Sequence, residues 1–224
     1  MALQANVSIT LLRNVPLFAG LDEAQLGVLV PMIMRTSFAR NDTIIGAGDP
    51  TDSLYIVING RLKVLMRDEQ KREVILAILG PGEFFGEMGL LDDSPRSASV
   101  VTLEPCELLG ISKTDFKQCL AQNSDLSLTV MRGLVKRLRE ADQKIGSLAL
   151  MDVYGRVARL LLQMAEDVNG EKVIVKKVSK QDIAKMIGAS REMVSRVMRD
   201  LELGGYIEVR GRSVVLRDNI LLAQ

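Results

Sequence analysis

The chain has 224 residues, 47% of them hydrophobic and 25% charged, with no tryptophan; this is the make-up of a folded globular protein, not of a disordered tail or a collagen-like repeat. The absence of histidine removes His-ligated haem, His-containing zinc sites, Ser-His-Asp triads and Cys-His nucleophiles, and two cysteines, Cys106 and Cys119, are too few for a four-thiolate iron-sulfur or zinc site. The net charge of +1 is unevenly spread: residues 150–224 carry 13 basic and 10 acidic side chains, and residues 176–217 carry 10 and 5, an electrostatic footprint suited to phosphate.

The first 14 residues hold one basic side chain and no long apolar run, and no stretch reaches the roughly 18 apolar residues of a membrane span. A cytoplasmic protein without membrane contact is expected. Helices are predicted at Leu11 to Phe18 and Glu23 to Met34. Short β-type runs follow at Thr43 to Ile45, Ser53 to Ile58, Leu62 to Met66, Glu73 to Leu79, Ala98 to Thr102 and Cys106 to Ile111, which suggests a small sandwich or barrel. Asn59-Gly60 reads as the best hairpin turn, since both residues tolerate positive φ. Cys106 and Cys119 read as small buried apolar residues.

From Lys113 the apolar period becomes helical. Leu126 to Met151 contains no proline and presents Leu126, Val130, Leu134, Leu138, Ala141, Ile145 and Leu148 at spacings of three and four, a helix of roughly 40 Å. Its narrow stripe, close to a 3.5-residue period, suits packing on a twin helix from a second copy, the alternative being a helix laid on its own β domain. Asp152 is a candidate cap for an amphipathic helix, Val153 to Glu166, which leads into a polar turn at Asp167 to Gly170. A strand at Lys172 to Val178, two short helices and a hairpin complete the chain, and the domain boundary is placed near Leu150 to Asp152.

Two constellations carry chemistry. In the first, Ser179 caps a helix that continues through Lys180, Gln181 and Asp182, Gly188 permits a sharp turn, and Ser190 caps the next helix, which is helix-turn-helix spacing. On that second helix Met193, Val197 and Leu201 form the expected inward stripe, leaving Arg191, Glu192, Ser195, Arg196 and Arg199 outward. Arginine bonds guanine O6 and N7 in bidentate fashion and glutamate accepts from cytosine N4, so this face is equipped for the major groove. Tyr206 to Leu216 reads as a two-stranded wing whose Arg210 and Arg212 suit backbone phosphate.

In the second, Pro81 to Ala98, three glycines let backbone approach an anion, and Gly86, Glu87 and Met88 open a short helix ending near Leu91. Arg96 offers a planar charged fork for a phosphodiester, Ser97 a neutral donor, and Glu87 an acceptor for a sugar hydroxyl, which together describe a nucleotide. A Gly-rich turn closed by a Glu87 to Arg96 salt bridge is equally open on the residues alone.

Gly-Glu-x-x-Leu-x(4)-Pro-Arg-Ser-Ala resembles the phosphate-binding cassette of cyclic-nucleotide-binding domains, and Ser-Arg-Glu-x-Val-x-Arg resembles the recognition helix of Crp/Fnr transcription regulators; the similarity runs from Leu12 to the wing. It implies an α+β chain made of an N-terminal double-stranded β-roll (1–120), a long dimerisation helix (121–151) and a C-terminal winged helix-turn-helix (152–224). It further implies a homodimer on near-palindromic double-stranded DNA with TGTGA-like half-sites, with RNA polymerase as a further partner and no enzymatic activity. Glu87 would hold the ribose 2′-OH, Arg96 and Ser97 the cyclic phosphate, while Arg191, Glu192 and Arg196 would read bases. Nucleotide binding would shift the paired long helices and reorient the winged helices about Leu150 to Asp152.

Relatives that read cyclic AMP place a Thr-Ser pair where this chain has Ala141 and Asp142. Ala141 has no side-chain hydrogen bond to give, and ionised Asp142 only accepts. Cyclic di-GMP therefore competes with cyclic AMP as the implied effector, since Asp142 suits a guanine N1-H and N2-H edge. No metal, haem or iron-sulfur cluster is implied. The alternative is a ligand-independent regulator of the same family with a vestigial nucleotide pocket.

Overall fold

The computed structural model describes residues 8–175, 178–211 and 213–217. They fall into two compact units that divide between Arg137 and Leu138. The first opens with α1 (Ile9–Arg13), a 3-10 turn at Pro16–Phe18 and α2 (Glu23–Leu29). The helix expected over Leu11 to Phe18 is thus split, because Pro16 lacks an N–H and holds Val15 extended, at φ −87° and ψ 119°. Pro31 likewise ends the second expected helix early, and Ile33–Phe38 is a strand, β1.

After β1 come β2 (Thr43–Ile45), β3 (Ser53–Asn59), β4 (Leu62–Arg67), β5 (Glu73–Leu79), β6 (Phe84–Phe85), α3 (Met88–Asp92), β7 (Ser99–Thr102), β8 (Cys106–Ser112), α4 (Lys113–Gln122) and α5 (Ser124–Leu150). The strands build two four-stranded antiparallel sheets, ordered β1-β8-β3-β6 and β2-β7-β4-β5. Strand alternation explains how they stack: Val57, Phe85 and Leu108 of the first sheet meet Ile45, Leu62, Leu79 and Val100 of the second. The opposite face of the first sheet, through Leu54, Ile56, Leu109 and Ile111, is covered by Leu12, Leu26, Phe116, Leu126 and Val130 from the helices. The central strand β3 is thus covered on both faces, which is why Leu54 to Ile58 reads as a continuous apolar run.

Asn59-Gly60 is not a hairpin. β3 pairs with β8 and β6 while β4 pairs with β5 and β7, so the chain crosses here from one sheet to the other. Gly60 has φ +88°, and a Cβ on it would lie 2.6 Å from the Pro105 carbonyl oxygen and 2.6 Å from Cys106 Sγ. The glycine is required by a close crossing and not by a tight turn. Gly60→Ala is expected to cost roughly 2–3 kcal/mol, the sum of the left-handed backbone penalty and the clash; a urea titration giving an unchanged midpoint would contradict this.

The second unit begins at Leu138 and contains α6 (Val153–Met164), β9 (Glu166–Val168), β10 (Glu171–Ile174), α7 (Lys180–Ile187), α8 (Arg191–Leu203), β11 (Ile207–Arg210) and β12 (Ser213–Leu216). Asp152 caps α6 by accepting from the Gly155 N–H at 2.8 Å. The polar turn after α6 is the chain's real Asn-Gly hairpin: Val168 pairs with Glu171, and Asn169 and Gly170 both take positive φ, 55° and 82°. Of the strand expected over Lys172 to Val178, β10 takes only Lys172 to Ile174; Val175 and Val178 lie outside any strand, and Lys176 and Lys177 are outside the described residues. The core joins Val157 and Leu161 of α6, Ile183 and Ile187 of α7, Val194, Val197 and Leu201 of α8, and Ile174, Ile207 and Leu216 of the sheet β11-β12-β10-β9.

Candidate ligand and DNA sites

The Gly-rich segment folds as the motif requires. Gly86 takes φ +85°, and a Cβ there would stand 2.5 Å from Arg96 Nη1, so the backbone and the guanidinium are brought together only because the residue is glycine. The chain then enters α3, with Glu87 at its N-cap position. Glu87 and Arg96 are both buried, 1% and 7% exposed. Met88 and Ser97 are exposed and adjacent, the Ser97 hydroxyl lying 3.8 Å from the Met88 sulfur.

The two buried charges do not pair with each other, contrary to the salt bridge that the sequence left open. Arg96 donates from Nη1 to the Gly86 carbonyl at 2.8 Å and from Nη2 to the Ser53 carbonyl at 2.6 Å and Asp52 Oδ1 at 3.1 Å. Glu87 instead receives Arg137 Nη1 on Oε1 at 2.5 Å. Arg137 also donates to the Phe84 carbonyl and lies over the Phe84 ring, 4.9 Å from its centroid, a cation held by both a carboxylate and an aromatic face. The Ser53 hydroxyl and then Arg96 hold the Asp52 carboxyl below its usual range.

Arg137 and Asp52 are the residues that sequence reasoning missed. Arg137 stands 50 residues from Glu87 and Asp52 stands 44 from Arg96, so no local spacing announces either pair. The available signal was physical: a carboxylate and a guanidinium buried in one short segment each require a counter-charge.

The end of the cassette is fastened by charge. Asp93 adopts φ 60° as the C-cap of α3, and Lys113 and Lys117 of α4 donate to its Oδ1 at 2.7 and 2.9 Å. These bonds, Lys113 first, pull the Asp93 carboxyl from 3.8 down to about 2. A depressed folded-state value contributes stability above the unfolded value and loses it as pH falls through the folded one. The tether is therefore expected to hold above about pH 4 and to be lost toward about pH 2. Urea midpoints measured across that window should fall less steeply in Asp93→Asn than in the parent, and parallel curves would refute the assignment.

Ala141 and Asp142 lie on α5 beyond Arg137, both exposed, in the second unit. The two cysteines are buried, and burial raises both thiols above their ordinary value. Among the described residues no cluster of three His, Cys, Asp or Glu is placed to hold a metal ion.

The helix-turn-helix is built by its caps. Ser179 Oγ accepts the Asp182 N–H at 3.0 Å and donates to the Asp182 carboxylate at 2.7 Å. Gly188 ends α7 in the left-handed conformation at φ 65°, ψ 46°, and Ser190 Oγ accepts the Met193 N–H at 3.1 Å. The inward stripe of α8 is Val194, Val197 and Leu201; Met193, expected inward, is 40% exposed. The core needs residues three and seven positions along from its first contact, and Val194 rather than Met193 starts that series. Arg191, Glu192, Arg196 and Arg199 are exposed, Ser195 is half-buried, and Ser179, Lys180 and Gln181 are exposed at the start of α7. Arg210 is exposed on β11 but committed to carboxylates: Nε and Nη2 bond Glu208 at 2.8 and 3.0 Å, and Nη1 bonds Glu171 at 2.9 Å. Arg212 lies outside the described residues.

Residues 35–123 match the cyclic nucleotide-binding domain and residues 155–224 the Crp-like helix-turn-helix domain. Over 218 residues the chain is 31% identical to the CRP-like cAMP-activated global transcriptional regulator of Mycobacterium tuberculosis, covering 96% of this chain and 97% of that one. The chain belongs to the Crp/Fnr family of transcription regulators. This Crp/Fnr regulator is also 36% identical over 192 residues to the cAMP-activated global transcriptional regulator Vfr of Pseudomonas aeruginosa, covering 81% of this chain and 88% of Vfr. Among solved structures it is similar to the c-di-GMP-responsive global regulator CLP of Xanthomonas campestris, with 31% identity, a TM-score of 0.73, and coverage of 87% of this chain and 99% of that one.

Family membership gives the described elements their names. The first unit carries the cyclic-nucleotide-binding β-roll, α5 is the long helix, and the second unit carries the winged helix-turn-helix. This Crp/Fnr chain is a DNA-binding transcription regulator and not an enzyme. No helix among the described residues is long and apolar enough to cross a membrane.

Proposed function

We propose that the chain acts as a cytoplasmic homodimer whose hold on a near-palindromic operator is set by a cyclic nucleotide bound at Glu87, Arg96 and Ser97, with Arg137 as a further member of the site. The observation that carries this reading is the burial of Glu87 and Arg96 beside exposed Ser97 and Met88, each charge fixed by its own counter-ion. Groups held in this way offer a ring phosphate a cation and a ribose hydroxyl an acceptor. Dimerisation through residues 121–151 is supported by α5 itself: Leu138, Ile145 and Leu148 are 63%, 66% and 55% exposed at heptad spacing, an apolar seam that a second copy would cover. DNA contact is assigned to Ser179, Lys180 and Gln181 of the first helix and to Ser190, Arg191, Glu192, Ser195, Arg196 and Arg199 of the second. RNA polymerase is the further partner that the family implies.

The base is assigned to Asp142, which accepts where guanine donates, and Ala141 offers adenine nothing. This favours cyclic di-GMP over cyclic AMP as the effector. Calorimetric titration of the full-length protein with each nucleotide tests the reading. Cyclic di-GMP is expected to bind at micromolar or tighter affinity and to weaken about tenfold in Asp142→Ala, the loss of one charge-assisted contact. Tighter binding of cyclic AMP would overturn the base assignment, and no heat with either nucleotide would leave the ligand-independent regulator as the better reading.

A further inference from the structure

The wing carries its own neutralising charges. Arg210 on β11 sits between two carboxylates: Glu208, its neighbour on the same face of β11, takes Nε and Nη2, and Glu171 of β10 takes Nη1. Arg217, just after β12, joins the same two groups, 2.5 Å from Glu208 and 3.5 Å from Glu171. All three guanidinium nitrogens of Arg210 are thereby engaged, and the four side chains sum to zero charge. We propose that Glu171 and Glu208 are specificity-determining residues that sequester Arg210 and Arg217 from the DNA backbone, so that sequence-independent affinity is held down and discrimination rests on α8.

Each pair is partly exposed, with 40–45% of each side chain open to water, and one such pair alone would compete poorly with a phosphate. The arrangement differs from an isolated pair in two respects. Arg210 meets Glu208 through two parallel N–H bonds, the geometry in which arginine is held most firmly. Every carboxylate also serves two arginines, so a phosphate must displace a shared partner rather than a single one. The Arg210 bond is the first cause holding the Glu208 carboxyl below its usual range, which keeps the network ionised at neutral pH.

This inference rests on the wing lying beside the DNA backbone. It is tested by fluorescence anisotropy of the full-length protein on operator and on random duplex across a salt series. Each newly engaged phosphate steepens the dependence of log affinity on log salt by about 0.9, so releasing one arginine in each protomer of a dimer steepens it by about 1.8. Between about 50 and about 200 mM salt that amounts to about a further tenfold loss of affinity, with tighter binding to random duplex at the low-salt end. In an Arg217→Ala background, which leaves Arg210 as the one arginine the two carboxylates hold among the described residues, Glu171→Gln/Glu208→Gln is expected to show this, and adding Arg210→Ala should return the slope to that of Arg217→Ala alone. A steepening that survives Arg210→Ala would be a general charge effect and would overturn the proposal. A flattened slope in Arg210→Ala alone would overturn it too, by showing the arginine already on phosphate, while upholding the placement of the wing. Identical slopes in every variant would show instead that the wing lies away from the DNA. Thermal melts of each variant confirm that the fold is retained.

Discussion

Arg137→Ala is expected to destabilise the nucleotide-binding unit by about 3 kcal/mol, the low end of what breaking a buried ion pair costs, because a third of Arg137 is open to water while Glu87 is not. The loss comes chiefly from Glu87, which at 1% exposure would be left charged without a counter-ion, and partly from the Phe84 carbonyl and ring that Arg137 covers. Glu87→Gln should cost less, since a neutral amide is cheaper to bury than an orphaned carboxylate. The double variant should therefore be more stable than the sum of the two losses predicts, by about 1–3 kcal/mol of coupling. A double-mutant cycle by urea denaturation measures this directly, and strict additivity would show that the contact carries no energy. Arg137→Ala should also bind cyclic nucleotide poorly, because Glu87, proposed as the acceptor for a ribose hydroxyl, loses its fixed position.

The second large effect belongs to α8. Arg196→Ala and Arg191→Ala are each expected to weaken operator binding by about 1–3 kcal/mol while changing affinity for random duplex far less, the pattern of a lost bidentate contact to guanine. Their stability should be unaffected, since both side chains are exposed and the helix is held by Val194, Val197 and Leu201 from its other face. Competition anisotropy with operator and random duplex separates the two classes of contact. Equal weakening on both would mean that these arginines meet phosphate, and the base reading would have to move to Glu192 and its neighbours.

How far the fold could be read from the sequence depended on the range of the interaction concerned. Caps act over three residues, and Ser179, Gly188 and Ser190 were legible with their roles, as was the proline-free run of α5. Elements set by distant partners were not. β1 looked like the tail of a helix because Ile33 and Met34 continue an apolar period, and only the six-residue pairing with β8 makes it a strand. Asn-Gly at 59–60 and at 169–170 is the same dipeptide with two outcomes, because strand exchange between sheets at the first site is a tertiary fact. Met193 and Val194 differ by one position, and the choice between them belongs to the core that α6, α7 and the sheet assemble.

The candidate site divides in the same way. Glu87, Arg96 and Ser97 stand together in a motif and were found from it, whereas Arg137 and Asp52 are joined to them only by folding. Arg210 shows the opposite case: its type and place on a wing suggested phosphate, and only the structure shows Glu171 and Glu208 around it.

A cyclic nucleotide on the β-roll is proposed to set the affinity of the winged helices for DNA. The most direct test is the dissociation constant for a labelled near-palindromic operator, measured at fixed salt with and without saturating cyclic di-GMP and, separately, cyclic AMP. A gated regulator should show a shift of about 5- to 150-fold with its effector, corresponding to about 1–3 kcal/mol of coupling, and the shift should disappear in Arg96→Ala. The same dissociation constant with and without both nucleotides would contradict the claim and mark the protein as a ligand-independent DNA binder.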